Sequence, residues 1–413
     1  MAPAIQFDIW QSAALGVAAL VIGGVLNRKV PFLRRICIPS PVTGGLLFSL
    51  ATLLFYCLKG SEVTFDSTVK DLCMMMFFTS VGFQADFSLL KKGGRALVVM
   101  VLLVLTLVVC QNLIGIGVAS VFGKSPLLGI AAGSIPMCGG HGTAGGFSGL
   151  LAGMGLDAAA SITMAAATFG LIAGSLIGAP LSDSLIRRKG LTCSSAAIAP
   201  DEKMDSAAND AANTETNPSM RRIETSDVAS STVAVFLLFV AMGLGTLVNK
   251  ALALLGINFP VYVGALIAAA LIRNFTELAP HCPLLPMHQI SHVGSIALSV
   301  FLGIAMISLR LWELASLALP LASILLCQAV FMWAFARFLA FPLLGGNFDA
   351  AVMAGGVCGF GLGATPNAMA NMNAVCARHG HSTLAFVVVP LVGVIFVDII
   401  NVFTITFFLN LIG

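Results

Sequence analysis

Residues 134–149 combine polar side chains with helix breakers in a pattern suited to binding a small anion. The run SIPMCGGHGTAGGFSG holds Ser134, His141 and Thr143, with six glycines between Gly139 and Gly149. Glycine disfavours a continuous helix, and in a bilayer non-helical backbone survives only when it is buried in protein or lines a wet cavity. Backbone amides at the N-terminus of a returning helical arm attract a carboxylate.

A second glycine-rich stretch, GGVCGFGLGATPNAMANMN at residues 355–373, offers similar chemistry. Thr365 and Pro366 follow its glycines, and Asn367 and Asn371 lie one helical turn apart behind them. Carbonyl oxygens freed at such a break suit Na⁺, and paired helix breaks are typical of a transporter binding site. The alternative is that the glycines are close helix contacts, but the crowding of Gly139, Gly140 and Gly142 favours a break. We expect positive φ angles, or close approach of a carboxylate, at Gly140 and Gly142.

Three ionisable side chains, two of them outside the glycine-rich stretches, are further candidates. Asp398 lies inside an apolar run, and Asn401, three residues on, shares its helix face. A carboxylate inside a membrane span is energetically costly and usually marks a functional site. We therefore interpret Asp398, Asn401 and Thr365 as a sodium site. The alternative is that Asp398 forms a structural bond to a neighbouring helix. Arg310 either faces substrate or forms an exposed pair with Glu313. His141 is either a proton carrier or a hydrogen-bonded anchor.

Composition places all of these residues in a polytopic membrane protein. Hydrophobic residues make up 58% of the 413-residue chain and charged residues only 9%, against about a quarter in soluble domains. The net charge of +3 gives no argument for nucleic acid as a partner. Apolar runs of spanning length fall at about 9–26, 41–58, 72–87, 96–121, 160–185, 229–249, 260–272, 291–309, 315–336 and 382–410.

The order of these runs predicts two halves of opposite orientation. The N-terminal half, 1–190, holds five helices and a re-entrant or broken segment at 127–156. A flexible cytoplasmic linker, 191–230, joins it to the C-terminal half, 231–413, whose broken segment is 348–376. Motifs recur between the halves at offsets of 217–220 residues, as in Cys110-Gln111 and Cys327-Gln328. With both termini outside, sixteen of the 21 Lys and Arg residues face the cytoplasm, which is a strong positive-inside bias.

The motifs GGHGT, CGFGLGATP, QNLIGIG, LWELASLALP and VVPLVG resemble those of the bacterial glutamate:sodium symporter family. The likeness covers nearly the whole chain except the linker. It implies Na⁺-coupled uptake of L-glutamate by a lipid-embedded homodimer of the plasma membrane, without other cofactors. Together with the reasoning above, it gives the expected substrate contacts Ser134, Gly139, Gly140, His141, Gly142, Thr143, Gly361, Gly363, Ala364, Thr365, Asn367, Asn371 and Arg310.

Two other functions compete with this one. A Na⁺- or H⁺-coupled carboxylate transporter of a related inverted-repeat fold has the same general features. An intramembrane hydrolase would use Ser134, His141 and Asp398 as a triad, but no nucleophile elbow accompanies these residues.

The charge distribution predicts that the linker faces the cytoplasm. A cysteine introduced at Asn209 in a cysteine-free background should therefore resist a membrane-impermeant maleimide in intact cells and react after permeabilisation. A cysteine replacing Lys124, on the predicted outer side, is the control that should react in both. Rapid labelling of the Asn209 variant in intact cells would contradict the inverted arrangement.

Overall fold

The computed structural model describes residues 5–30, 39–85, 94–193, 220–254, 260–278 and 285–412. These ranges are mostly helical, and eight of their helices are long and apolar enough to cross a membrane. The prediction of a helical membrane protein is thereby confirmed.

The elements follow one another in this order: β1 Ile5–Phe7, α1 Ile9–Lys29, α2 Ser40–Lys59, β2 Val63–Phe65, α3 Thr68–Phe83, α4 Gly94–Val121, α5 Pro126–Ala131, α6 Ser134–Met137, α7 Gly140–Gly153, α8 Ala159–Lys189, α9 Met220–Leu254, α10 Val261–Leu278, α11 Met287–Ile307, α12 Ala318–Leu343, α13 Phe348–Leu362, α14 Thr365–His379 and α15 Thr383–Ile412. A 3₁₀ turn at Leu311–Leu317 precedes α12. Single π turns interrupt α12 at Ala336–Ala340 and α15 at Val392–Phe396.

Three features differ from the sequence-based expectation. The runs predicted as the third and seventh spans are helices, α3 and α10, but they are shorter than the other eight. At 16 residues α3 is about 24 Å long, less than the ~30 Å hydrocarbon core. The parallel pairing of β1 with β2, with Ile5 opposite Val63, is an addition to the helices. The third difference is that α9 begins at Met220, inside the predicted linker 191–230. Residues 194–219 of that linker lie outside the described residues.

Polar residues at helix starts explain several boundaries. Asp8 caps α1 by accepting a hydrogen bond from the Gln11 amide at 2.8 Å, and the Gln11 side chain accepts from the Asp8 amide at 3.1 Å. Asn347 caps α13 in the same way through the amide of Ala350 at 2.9 Å. Such caps satisfy amides that a helix leaves unpaired at its first turn, so these starts are encoded locally.

The helices form two bundles, each built from both halves of the chain. The first bundle comprises α1–α3 and α9–α11, and the second comprises α4–α8 and α12–α15. In the first bundle α1 packs on α2 and α9 packs on α10 at glycines. A Cβ at Gly44 would lie 1.7 Å from the Ala19 carbonyl oxygen, and one at Gly264 would lie 2.2 Å from the Gly245 carbonyl oxygen. Backbones this close require small residues, so glycine sets both helix pairs.

Candidate functional site

Both glycine-rich stretches are broken helices, as the sequence predicts. The first runs through α5, α6 and α7, and its last break falls at Cys138–Gly139. Gly140 begins α7 with a φ of 59°, in the left-handed region that favours glycine. The second stretch breaks at Gly363–Ala364, between α13 and α14. The expectation of positive φ is thus confirmed at Gly140.

Gly142 has a different role, because it lies inside α7 with an ordinary helical backbone. A Cβ at Gly142 would lie 3.0 Å from a ring carbon of Phe77 on α3 and 3.6 Å from a methyl carbon of Leu298 on α11. Its lack of a side chain therefore keeps space open between the two bundles.

The two breaks lie against each other. A Cβ at Gly140 would be 2.8 Å from the Gly363 carbonyl oxygen. Helix α8 runs past both broken stretches at close range: a Cβ at Gly170 would lie 2.1 Å from the Leu362 carbonyl oxygen. The fold therefore joins two stretches that are more than 200 residues apart in the sequence into one site.

A cavity of about 390 Å³ opens at this meeting point, between the two bundles. The second bundle contributes predicted site residues, and the first bundle contributes Phe77, Gln84, Ser291 and Ser295. Of the predicted residues, those that line the cavity are Gly139, Gly140, His141, Gly142, Gly363, Ala364, Thr365 and Asp398. The structure therefore brings the carboxylate of α15 to the same space as both helix breaks.

Asp398 owes its position to the π turn that precedes it. That turn, Val392–Phe396, ends two residues before Asp398, and π turns recur at functional sites because they re-aim side chains. Gly393, within the turn, lies beside Thr365: a Cβ there would be 2.8 Å from the Thr365 hydroxyl oxygen. Among the described residues, none forms a hydrogen bond or an ion pair with the Asp398 carboxylate.

Three of the predicted site residues hold the backbone of the broken helices. The Asn401 side chain donates to the Ser134 carbonyl at 3.0 Å. Asn367 donates to the Leu171 carbonyl at 2.9 Å, and Asn371 donates to the Gly174 carbonyl at 3.0 Å. Asn367 and Asn371 thus attach α14 to α8 and do not line the cavity.

Three amide side chains that sequence reasoning did not select complete this support. On α4, Gln111 donates to the Gly361 carbonyl at 2.6 Å, and Asn112 accepts from the Ser134 amide at 3.0 Å. Gln328 on α12 donates to the Gln111 carbonyl at 2.7 Å. All three are buried. Amide side chains inside long apolar runs were the sequence signal that could have identified them, since buried polar groups need partners.

Other predicted residues take structural positions. Nε2 of His141 lies 3.1 Å from the Thr168 hydroxyl on α8. Thr143 is buried beside Gly139, and Gly361 contributes its carbonyl to Gln111. No hydrogen bond links Ser134, His141 and Asp398 in the described part of the chain, so the arrangement of a hydrolytic triad is not formed.

Arg310 lies away from the cavity, in the loop before α12. Its guanidinium pairs with Glu62 and with Glu313, each at 3.5 Å. Its backbone amide donates to the Ser161 hydroxyl at 3.1 Å. Burial raises the pKa of the Glu313 carboxyl above its ordinary value, and Arg310 partly offsets that rise. The structure therefore places the Arg310 guanidinium in ion pairs with Glu62 and Glu313, while its backbone bonds to α8.

Comparison with known proteins identifies close relatives over nearly the whole chain. A family model described as sodium/glutamate symporter matches residues 5–381. The sodium/glutamate symporter of Escherichia coli strain K12 is 40% identical over 407 residues, which cover 98% of each chain. That of Haemophilus influenzae is 35% identical over 396 residues, covering 96% of this chain and 95% of the relative.

The backbone at Gly140 predicts that two glycines of α7 respond differently to substitution. Gly140→Ala should lower the melting temperature, because a Cβ in the left-handed region costs about 1–2 kcal/mol and would press on the Gly363 carbonyl. Gly149→Ala is the matched control in the same helix, where a Cβ meets nothing within 4 Å. It should be neutral or stabilising. Equal melting temperatures for the two variants would contradict the described break.

Proposed function

Because this chain belongs to the sodium/glutamate symporter family, we propose that it couples glutamate uptake to the Na⁺ gradient by exposing the cavity between its bundles to each side of the membrane in turn. It is a multi-pass plasma-membrane transporter and not an enzyme. The observation that supports the mechanism most is the meeting of both helix breaks in a cavity lined from both bundles. Relative movement of the bundles would change which side that cavity faces.

The substrate region is proposed at the two helix starts that adjoin the cavity. The first amides of α7, at Gly140 and His141, and of α14, at Thr365, have no preceding helical carbonyl to bond. Each helix start also carries a partial positive charge. Glutamate has two carboxylates, and two helix N-termini beside one cavity suit such an anion. Of the other predicted contacts, Ser134, Gly361, Asn367 and Asn371 act in this proposal by shaping the backbone around the substrate, and Arg310, which lies away from the cavity, has no part in it.

The sodium site is proposed at Asp398, Asn401 and Thr365. Asp398 and Thr365 line the cavity, and the Asn401 side-chain oxygen is buried without a partner among the described atoms. Ser134 accepts from Asn401 through its backbone carbonyl. Its side-chain hydroxyl is also buried without a partner among the described atoms. Carboxylate, amide and hydroxyl oxygens beside unwound backbone suit Na⁺. Bound Na⁺ would compensate the negative charge of Asp398. It would also hold the backbone at the Gly363–Ala364 break in the conformation that binds glutamate.

An inverted repeat is proposed for the chain as a whole, with halves at 1–190 and 231–413 and a cytoplasmic linker at 191–230. It is supported by the contribution of both halves to each bundle and by the corresponding glycine contacts of α1 with α2 and α9 with α10. The homodimer implied by the family is likewise a proposal. Exposed apolar side chains on α9, such as Phe236 and Phe239, offer a face to lipid or to a second copy.

The cavity is proposed to face the cytoplasm in this conformation. It reaches Pro39, Gln84 and Ser291, which lie at the ends of α2, α3 and α11 that the charge distribution places inside. On the opposite side, the Arg310 backbone bonds to Ser161 of the second bundle. These contacts favour a state closed to the outside, from which glutamate would be released inward.

Transport itself provides the direct test of this function. In proteoliposomes an inward Na⁺ gradient should drive accumulation of radiolabelled glutamate, and replacing Na⁺ by K⁺ at fixed pH should abolish it. A counterflow assay with citrate or malate in place of glutamate distinguishes this function from that of a related carboxylate transporter, which would exchange those acids. Uptake that is unchanged in K⁺ would show that the coupling ion is not Na⁺.

Asp398→Asn tests the sodium site separately from the substrate. The Na⁺ concentration for half-maximal uptake should rise at least about tenfold, since losing a bond to a charged group costs about 1.5–3 kcal/mol. Na⁺ should also lose its stabilising effect on the melting curve. Asp71→Asn, at the exposed start of α3, is the matched control and should behave like the wild type. A folded Asp398→Asn protein with wild-type Na⁺ activation would place the sodium site elsewhere.

A further inference from the structure

We propose that a groove between α8 and α12 binds the headgroup of an anionic phospholipid through Arg188 and Arg337. The groove encloses about 410 Å³ and is separate from the central cavity. Arg188 lies in the last turn of α8, and Arg337 lies in the π turn of α12. Both arginines therefore lie near the C-terminal ends of their helices, and their two positive side chains line the same groove.

Within the described ranges, the two arginines of this groove have no acidic partner. No Asp or Glu lines it, and among the described residues neither Arg188 nor Arg337 forms an ion pair. The neighbouring Arg187 differs, since it pairs with Asp183 at 3.0 Å. The Arg337 guanidinium instead lies 5.8 Å from the Trp333 ring centre and 5.7 Å from that of Phe338. Aromatic faces thus hold the guanidinium in place and leave its donors free for an anion.

The walls of the groove are suited to acyl chains. Leu176, Leu181 and Trp333 line it, and Leu176 is 67% exposed on the outer surface of the second bundle. Along α12, Leu326 and Val330 continue this apolar surface with 60% and 67% exposure. The groove therefore has cations at one end and an apolar, outward-facing wall along its length.

This combination selects one kind of ligand. Basic pockets between membrane helices bind the headgroups of anionic lipids on the cytoplasmic side, which is where the charge distribution places these helix ends. An arginine matches a phosphate oxygen pair with two parallel hydrogen bonds. A free phosphate ion would use the arginines but not the apolar walls, and a zwitterionic lipid would leave the two positive charges only partly compensated.

Melting of the full chain in detergent gives the first test. Added phosphatidylglycerol should raise the melting temperature by about 3 °C or more, and phosphatidylcholine and inorganic phosphate should not. The double variant R188Q/R337Q should lose most of that rise. The control K124Q/K250Q removes two exposed lysines from the predicted outer side and should keep it. An unchanged rise in R188Q/R337Q would overturn the proposal, as would an equal rise with phosphatidylcholine or with phosphate alone.

Tryptophan fluorescence gives a test that needs no arginine variant. The chain has three tryptophans, so W10F/W312F leaves Trp333, on the groove wall, as the single reporter. Phosphatidylglycerol with brominated acyl chains should quench Trp333 at lower concentration than brominated phosphatidylcholine. Excess unbrominated phosphatidylglycerol should relieve the quenching, and inorganic phosphate should not. Equal quenching by the two brominated lipids would show that the groove does not select an anionic headgroup.

Discussion

Backbone amides and carbonyls at the two helix breaks have no helical partners, and in a membrane each unpaired group costs several kcal/mol. The organisation of the second bundle follows from that cost. Gln111 donates to the Gly361 carbonyl, and Asn401 adds a hydrogen bond to the Ser134 carbonyl, which also accepts from the Cys138 amide. Asn112, next to Gln111, accepts from the Ser134 amide. One dipeptide on α4 therefore satisfies backbone groups of both broken helices and links their positions.

The helices around the breaks also approach one another more closely than ordinary side chains would allow. Helix α8 does so at Gly170, beside the Leu362 carbonyl, and at Gly178, where a Cβ would lie 2.1 Å from the Asn371 amide nitrogen. Asn371 can therefore reach the Gly174 and Gly355 carbonyls. The glycines and the buried amides act together: small residues bring the backbones close, and amide side chains then form hydrogen bonds from one helix to the backbone of another.

The same arrangement explains how a cavity persists between two apolar bundles. Its second-bundle wall includes backbone from the two breaks, together with His141, Thr365 and Asp398, while the first bundle supplies Phe77, Gln84 and two serines of α11. The first bundle is held by its own glycine contacts and makes few bonds to the breaks. The backbone of the two breaks and the Asp398 carboxylate thus line the cavity from the second bundle, and Gln84, Ser291 and Ser295 line it from the first.

The sequence by itself determined the class of protein, the helical runs and the places where helices break, because apolar composition, glycine content and proline act locally. Crowded glycines were enough to predict the break before Gly140, and the depth of Asp398 in an apolar run was enough to select it. Only the tertiary structure decided which polar residues share a space. Asn367, Asn371 and Asn401 bind backbone, Arg310 pairs with Glu62 and Glu313, and Gln111 and Asn112 support both breaks. The direction in which a buried side chain points depends on neighbours distant in the sequence, and a single π turn before Asp398 changes the face it presents.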